Sequence, residues 1–433
     1  MNKILFKNID GAALIVFRIL LGFLIVCESL LAIFHGWIDA ILIQPKFTFN
    51  FIGFDWLQPL SGNGMYYYFG LIGLTGIGIM LGFRYRFNII LFTILLSGIY
   101  FMQKEVYYNH YYLLLVISLI MIFLPANQEK SLDVKFGYIK KGTTIPQWII
   151  LFFIALIGIV YTYAALAKFY PDWLDGTFTK ILLQRITARP YLLELFSQKW
   201  FYITFAYAGI LFDLFIVPLL LHKRTRNFAL VASILFHLFN SYTLRIGIFP
   251  YMALSFSVFF YEPKRIRQLF FKEKIEIDNN LNYFGKKLVH YLIIPLLIVQ
   301  LLLPLRHCLI KGDVLWTEEG HRLSWRVMLR ERTGKLNIKI VDNTTKKESS
   351  YDYHKNLTYI QSKQLAIRPD FIWQYCQRIK KEYKGKDISI YIDCKNSIND
   401  KPYQTLIDPS VDMAKAEWDY FGHNEWIVLN KKF

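Results

Sequence analysis

Cysteine is scarce: Cys27, Cys308, Cys376 and Cys394 are all that the chain contains. None stands in a C-x-x-C pair and no metal-ligand spacing is present, so neither a redox pair nor a metal centre is expected. Cys27 lies in an apolar run and reads as a small packed hydrophobe. A single disulfide in the C-terminal region is open, with Cys376 and Cys394 the most suitable pair. Also missing are internal repeats, low-complexity tracts and the inverted repeats with broken helices that mark many transporters. No cleavable signal pattern is visible, because the first apolar run is too long and lacks a small-residue cleavage site, so Met1 to Asp10 are expected to stay attached. Acidic residues are few, 32 against 50 Lys and Arg, for a formal charge of +18. In a soluble chain that excess would suggest nucleic acid, but no nucleic-acid motif is present. The basic residues gather in short loops between apolar runs, where they orient a membrane protein, and the expected partner of the charge is lipid.

What the chain has in abundance is apolar surface. Hydrophobic residues make up 55% of its 433 residues and aromatics 18%, with a mean hydropathy of +0.31. A helix of about 20 apolar residues crosses a hydrocarbon core of roughly 30 Å. About nine such spans are expected, near Ala12–Phe34, Tyr66–Gly82, Phe87–Gln103, Tyr108–Leu124, Gln147–Ala167, Phe201–Leu221, Phe228–Leu244, Gly247–Tyr261 and Leu288–Leu305. The eighth is short and contains Pro250. Basic residues at Arg84, Arg86, Lys130, Lys135, Lys223, Arg224, Lys264 and Arg265 place the N-terminus in the cytoplasm of an inner-membrane protein. An odd span count then puts the C-terminal part outside. The segment from Phe169 to Trp200 is expected to lie as interfacial helices.

The fold class expected is therefore a polytopic α-helical bundle over residues 1–305, followed by a small extracytoplasmic α+β domain over 306–433. In that domain, Leu323–Arg330 and Lys335–Val341 around Arg332-Thr-Gly334 read as a β-hairpin, and Asn343-Thr-Thr as a second turn. Pro369-Asp370 opens a helix with Phe371, Ile372, Tyr375, Cys376 and Ile379 on one face. Ile388, Ile390 and Ile392 alternate as a strand.

Polar groups inside the spans are costly and so informative. Arg18, Glu28 and Asp213 read as inter-helix glue, with Arg18 paired to Asp213 or Glu28. A second group reads differently. Lys168 closes the run Trp148–Ala167, where a lysine either snorkels to the interface or has a task. His110, after Asn109, opens a span on the same side, and His237 with Asn240 shares one helix face at i, i+3 spacing. Three ionisable groups at one depth suggest a site. A desolvated lysine, neutral near pH 7, can take a proton from a weak acid such as a quinol. A histidine beside an amide can stabilise a developing anion.

These residues resemble the vitamin K-dependent γ-glutamyl carboxylases and their bacterial relatives with an HTTM-type membrane domain. The resemblance rests on Val16-Phe-Arg-Ile-Leu-Leu-Gly-Phe-Leu24, Met80-Leu-Gly-Phe-Arg-Tyr-Arg86, Asn109-His110-Tyr-Tyr-Leu113, Ala126-Asn127 and Ser131-Leu-Asp133, and on the Lys168…Asp172-Trp173 pattern within Tyr161 to Gly176. It continues through Phe236-His-Leu-Phe-Asn-Ser241, Ile246-Gly-Ile-Phe-Pro-Tyr251, Ser397-Ile-Asn-Asp400 and Asp408-Pro-Ser-Val-Asp412. It implies reduced vitamin K or menaquinol as cofactor, with O2 and CO2 as co-substrates. A lysine, matched by Lys168, deprotonates the quinol, which reacts with oxygen to give a base able to remove a glutamyl γ-proton. The carbanion captures CO2 in a lyase-type carboxylation, and the cofactor leaves as its epoxide. His110 matches the histidine of the carboxylation step. Asn109, Tyr161, His237 and Asn240 match residues lining the quinone pocket. A glutamate-containing protein or peptide is the implied substrate. Ala167 stands where the animal enzymes carry a further lysine, and no cysteine lies between Gly36 and Met65 to join the two parts. The alternatives are a quinol epoxidase without a peptide substrate and a non-catalytic membrane scaffold or transporter.

Overall fold

The computed structural model describes residues 2–185, 190–244, 247–277 and 280–430. Arg189, Arg245 and Ile246 lie outside the described residues. A short antiparallel ribbon of β1 (Asn8–Asp10) and β2 (Thr144–Pro146) ties together the starts of two long helices. These are α1 (Ala12–Phe34) and, after the intervening α2 (Gly64–Leu81), α3 (Tyr85–Met102) and α4 (Asn109–Met121), α5 (Trp148–Leu166). Next come α6 (Pro171–Leu174), α7 (Thr177–Arg185), α8 (Pro190–Ser197), α9 (Lys199–Leu221), α10 (Arg226–Leu244), α11 (Phe249–Ser255) and α12 (Pro263–Phe270). A last apolar helix, α13, runs over Lys286–Leu309.

Six of these, α1, α2, α3, α5, α9 and α13, are long and apolar enough to cross a membrane. The other three expected spans are helical too, but Asn109–Met121 and Phe249–Phe259 are shorter apolar helices, and α10 carries Arg226, Asn227, His237 and Asn240. The stretch expected at the interface forms the short helices α6 to α8. Between α1 and α2, Gly22 faces Gly76 and Met80 so closely that a Cβ would strike backbone atoms. Small residues let helix backbones approach in this way where apolar solvent gives no other drive to associate.

Arg18 does not pair with Asp213 or Glu28. Its guanidinium donates to the carbonyls of Ala126 (3.2 Å), Met80 (3.3 Å) and Lys130 (2.7 Å). Carbonyls of the last turn of α2 and of the loop after α4 are acceptors already in place, so no carboxylate is needed. Glu28 instead accepts from the Tyr111 hydroxyl at 2.5 Å.

The C-terminal part holds a four-stranded antiparallel sheet in the order β4-β3-β5-β6, with β3 Arg332–Asp342, β4 Glu348–Tyr351, β5 Ile388–Ile398 and β6 Gln404–Ile407. Two helices, α14 (Tyr359–Leu365) and α15 (Pro369–Glu382), complete it. Leu336, Ile338 and Ile340 lie opposite Cys394, Ile392 and Ile390, and all six are buried in one core with Phe371, Ile372, Tyr375, Cys376 and Ile379 of α15. The expected helix, strand and Asn343 turn are therefore present. The expected hairpin is not. β3 runs straight through Gly334, where a Cβ would collide with the Ala366 carbonyl, so this glycine serves close backbone approach rather than a turn. Residues 323–330 form no strand; Leu323, Trp325 and Met328 have positive φ of 59°, 56° and 50°. Cys376 and Cys394 are buried free thiols, so the disulfide that the sequence leaves open is not formed between them.

The two parts meet through polar contacts. Lys104, in the loop before α4, donates to Asp370 at 2.5 Å, and Arg322 joins it at 2.8 Å. Gln361 donates to the Phe47 carbonyl (2.7 Å) and to Glu105 (2.9 Å). Phe49 stacks on Phe371 at 4.6 Å.

Candidate functional site: a lysine–carboxylate pair on an apolar cavity

The far end of α5 sets the site. The helix is apolar on all sides and ends at Leu166, with Ala167 as its C-cap. Pro171 then occupies the first turn of α6, and the preceding Tyr170 is extended at φ −140°, ψ 159°, as residues before proline favour. The chain therefore turns sharply after Lys168, whose side chain is buried at 7% exposure. Its amine donates to the Ala164 carbonyl at 3.2 Å and makes a salt bridge with Asp213 of α9. The Trp173 ring centroid lies 5.3 Å from the same nitrogen.

A cavity of about 680 Å³ opens beside this pair, and all six residues singled out in the sequence line it: Asn109, His110, Tyr161, Lys168, His237 and Asn240. His110 sits in the first turn of α4 and packs between the rings of Tyr108 (4.9 Å), Tyr111 (4.7 Å) and Phe249 (5.9 Å). Phe249 also meets His237 edge-on at 6.1 Å, so one phenyl ring spaces the two imidazoles. Tyr161 and His237 share a hydrogen bond of 2.8 Å to Nε2, while His237 Nδ1 is buried with no partner. Asn109 donates to the Arg326 carbonyl at 2.8 Å and accepts from Tyr107 at 3.2 Å. The remaining lining is dominated by apolar and aromatic side chains. Leu235 and Leu238 belong to it and are also 65% and 46% exposed on the outer face of α10, so the cavity opens sideways through the helical wall.

Two features were not anticipated. The first is Asp213, expected as structural glue for Arg18. Lys168 is thus one half of a buried ionic pair, not the isolated amine expected. The signal lay in the sequence, since a buried lysine needs a partner and Asp213 is an acidic residue within a span. The second is the segment 321–332, of which Leu323–Arg330 reads in the sequence as the first strand of the hairpin. Trp325, Val327 and Met328 roof the cavity. Behind them, Arg326 Nε, Arg330 Nε and Arg332 Nη2 are buried without hydrogen-bond partners. Burial first, and then neighbouring guanidiniums, push the proton affinities of Arg330 and Arg368 below the ordinary arginine value. Glu318 pairs with both Arg330 and Arg332, which leaves guanidinium donors to spare. Such a nest favours an anion.

The constellation suits a flat aromatic ligand with ionisable oxygens. Its volume lies within the ordinary range for small-molecule sites, its walls are apolar, and its few polar groups converge from α4, α5, α9 and α10.

The HTTM domain family model matches residues 6–264. The model of the vitamin K-dependent gamma-carboxylase lumenal domain matches residues 285–432. No solved structure matches the chain. Two matched modules in this order, on a chain whose long apolar helices mark an integral membrane protein, show that it belongs to the vitamin K-dependent γ-carboxylase family.

Proposed function

We propose that the chain is an integral-membrane enzyme that couples oxygenation of a reduced naphthoquinone, menaquinol or vitamin K, to carboxylation of glutamyl residues. The observation that carries this reading is the convergence of Lys168, His110, His237, Asn109, Asn240 and Tyr161 on one apolar cavity open through the helical wall. When bound, the reduced quinone supplies the electrons for oxygen and the strong base for carbon deprotonation, and it leaves as the epoxide.

The residues divide the remaining work. Lys168 is the group placed to accept a proton from a hydroxyl in the cavity, and the Asp213 carboxylate beside it balances the charge that the amine gains. Tyr161 fixes the His237 ring, so that Nδ1 is available to a ligand oxygen. Asn109 is held from both sides and orients the first turn of α4, where His110 faces the cavity. Apolar walls keep water from the reacting groups. The arginines behind Trp325 supply donors for the carboxylate of a glutamyl side chain. The excess of Lys and Arg in the loops containing Arg84, Lys130, Lys223 and Lys264 supports a cytoplasmic N-terminus, with the C-terminal domain and the cavity on the outer side.

The test uses purified protein in lipid nanodiscs with reduced menaquinone or vitamin K and oxygen. Epoxide is the expected product, largely absent from Lys168→Ala. Equal product from wild type and that variant would remove Lys168 from the chemistry. Incorporation of labelled CO2 into a glutamate peptide is expected to fall in His110→Ala. Epoxide without any peptide labelling would leave a quinol epoxidase.

A further inference from the structure

The motif Ser397-Ile-Asn-Asp400 stands far along the chain from the cavity, and the reaction assigns it no task. In the structure it forms the tight β5–β6 turn, with Asn399 and Asp400 at φ of 52° and 60°. Asparagine tolerates this left-handed geometry better than most residues. The turn delivers Asn399, buried at 4% exposure, to Asp172. Asn399 Nδ2 donates to Asp172 Oδ2 at 2.8 Å, and Lys401 Nζ donates to Oδ1 at 2.7 Å. Both carboxylate oxygens are thus held from the C-terminal domain, and Asp172 is itself buried. Asn399 is anchored in turn, because its Oδ1 accepts from the Glu331 amide at 3.0 Å and its own amide donates to the Glu331 carbonyl at 3.0 Å.

Asp172 lies four residues after Lys168, across the sharp turn at Tyr170-Pro171. Its neighbour Trp173 carries the ring beside the amine, lines the cavity, and donates from Nε1 to the Ala206 carbonyl at 3.1 Å. The lysine side of the cavity is therefore pinned at two places, by α9 through Trp173 and by the C-terminal domain through Asp172. One further contact from the C-terminal domain reaches this stretch, the pairing of Arg185 in α7 with Glu331, whereas those at Phe49, Lys104 and Glu105 lie on the α1–α2 and α3–α4 loops.

We propose that Asp172 is a positioning residue, through which the turn at Asn399 and Lys401 holds Lys168 and Trp173 in place against the cavity. The C-terminal domain then completes the geometry of the amine without contributing to its chemistry. This rests on the reading of Lys168 as the base, but the clamp can be measured without any turnover.

The full-length protein in nanodiscs is treated with formaldehyde and cyanoborohydride, and methylation of Lys168 is followed by mass spectrometry. Asp172→Asn and Asn399→Ala are expected to raise its labelling rate about fivefold, as a local opening cheaper by about 1 kcal/mol would. Lys46→Ala, which removes a separate contact to the C-terminal domain through Lys355 and Asn356, is expected to leave the rate unchanged. In turnover, the Asp172 variant is expected to lose about tenfold in kcat with a smaller change in quinol KM. Added to Lys168→Ala, it is expected to cause no further loss. If Asp172→Asn does not fold, Lys401→Ala, which leaves the carboxylate and Asn399 in place, serves instead. Lys168 labelling within twofold of wild type, equal release by Lys46→Ala, or unchanged turnover despite faster labelling each overturns the proposal. Absence of epoxide from wild type tells against the enzymatic reading alone and leaves the labelling comparison standing.

Discussion

Two buried ionic clusters lie at opposite ends of the helical part, and only one of them is complete. Near the β1–β2 ribbon, Arg267 donates to Asp10 at 2.6 and 2.8 Å and to Glu129 at 2.9 and 2.7 Å. Two carboxylates meet one planar guanidinium in paired bonds, and every charged group there is almost fully buried. At the other end, about 28 Å along α5, Lys168 meets a single carboxylate and borders the cavity with it. The first cluster leaves nothing over for a ligand and reads as architecture. The second brings the same kinds of charge together where another molecule can reach them. A buried charge marks a functional site by what remains unsatisfied around it, more than by its presence.

The largest expected effects come from removing the two cations. Lys168→Ala should lower quinol epoxidation by about 10² to 10⁴-fold, the span ascribed to a positioned acid or base, with a smaller loss of stability than the next variant, because it strands one carboxylate beside a cavity instead of two in a closed core. Arg267→Ala should do the reverse, costing roughly 3–5 kcal/mol by stranding Asp10 and Glu129, visible as loss of folded protein on size-exclusion chromatography. A Lys168→Ala protein that aggregates as readily would erase the contrast.

Asp213→Asn sharpens it. The substitution keeps the shape of the pair but removes its negative charge, and turnover should fall on the order of 10²-fold with little change in thermal stability. Were Asp213 only glue, stability would drop and the activity of the folded fraction would survive.

A third buried cluster, between the two parts, provides an intermediate case. Burial alone would raise the Asp370 carboxyl, but Arg322 and Lys104 hold it well below the ordinary carboxylate range. Its folded-state value is thus lower than its unfolded one. The contribution is complete above about pH 4 and is lost as the pH falls further, towards the folded-state value. Melting temperature followed from pH 6 to pH 2 should decline through the acid limb, and less steeply in Asp370→Asn. The smallest effect is reserved for Tyr161→Phe. Losing one hydrogen bond to His237 should cost about 0.5–1.5 kcal/mol, read as a modest rise in quinol KM.

The same contrast explains what could be read in the sequence. Apolar runs define the long helices because period and length carry that information locally, and α15 and β5 were legible for the same reason. The hairpin fails because Arg332-Thr-Gly334 between two stretches with apolar residues reads as a turn, whereas residues 323–330 form no strand. Gly334 was taken for a turn, while its cause lies in the Ala366 carbonyl, distant along the chain. At the site, Lys168, His110 and His237 stood out because each is ionisable in an apolar setting. Asp213 stands out equally, but its partner is Lys168, because the terminal nitrogens of Arg18 are met by backbone carbonyls whose position only the fold reveals. The arginines of 321–332, only partly paired, lie in what reads as a soluble domain, where basic residues are commonplace.

The exposed outer faces of Leu235 and Leu238 have a kinetic consequence. In the proposed reading, where this face of α10 meets lipid, a ligand that enters between them comes from the bilayer itself. The concentration that governs occupancy is then its mole fraction among the surrounding lipids, and diluting the membrane with inert phospholipid should slow turnover even when the amount of quinol per millilitre is held constant.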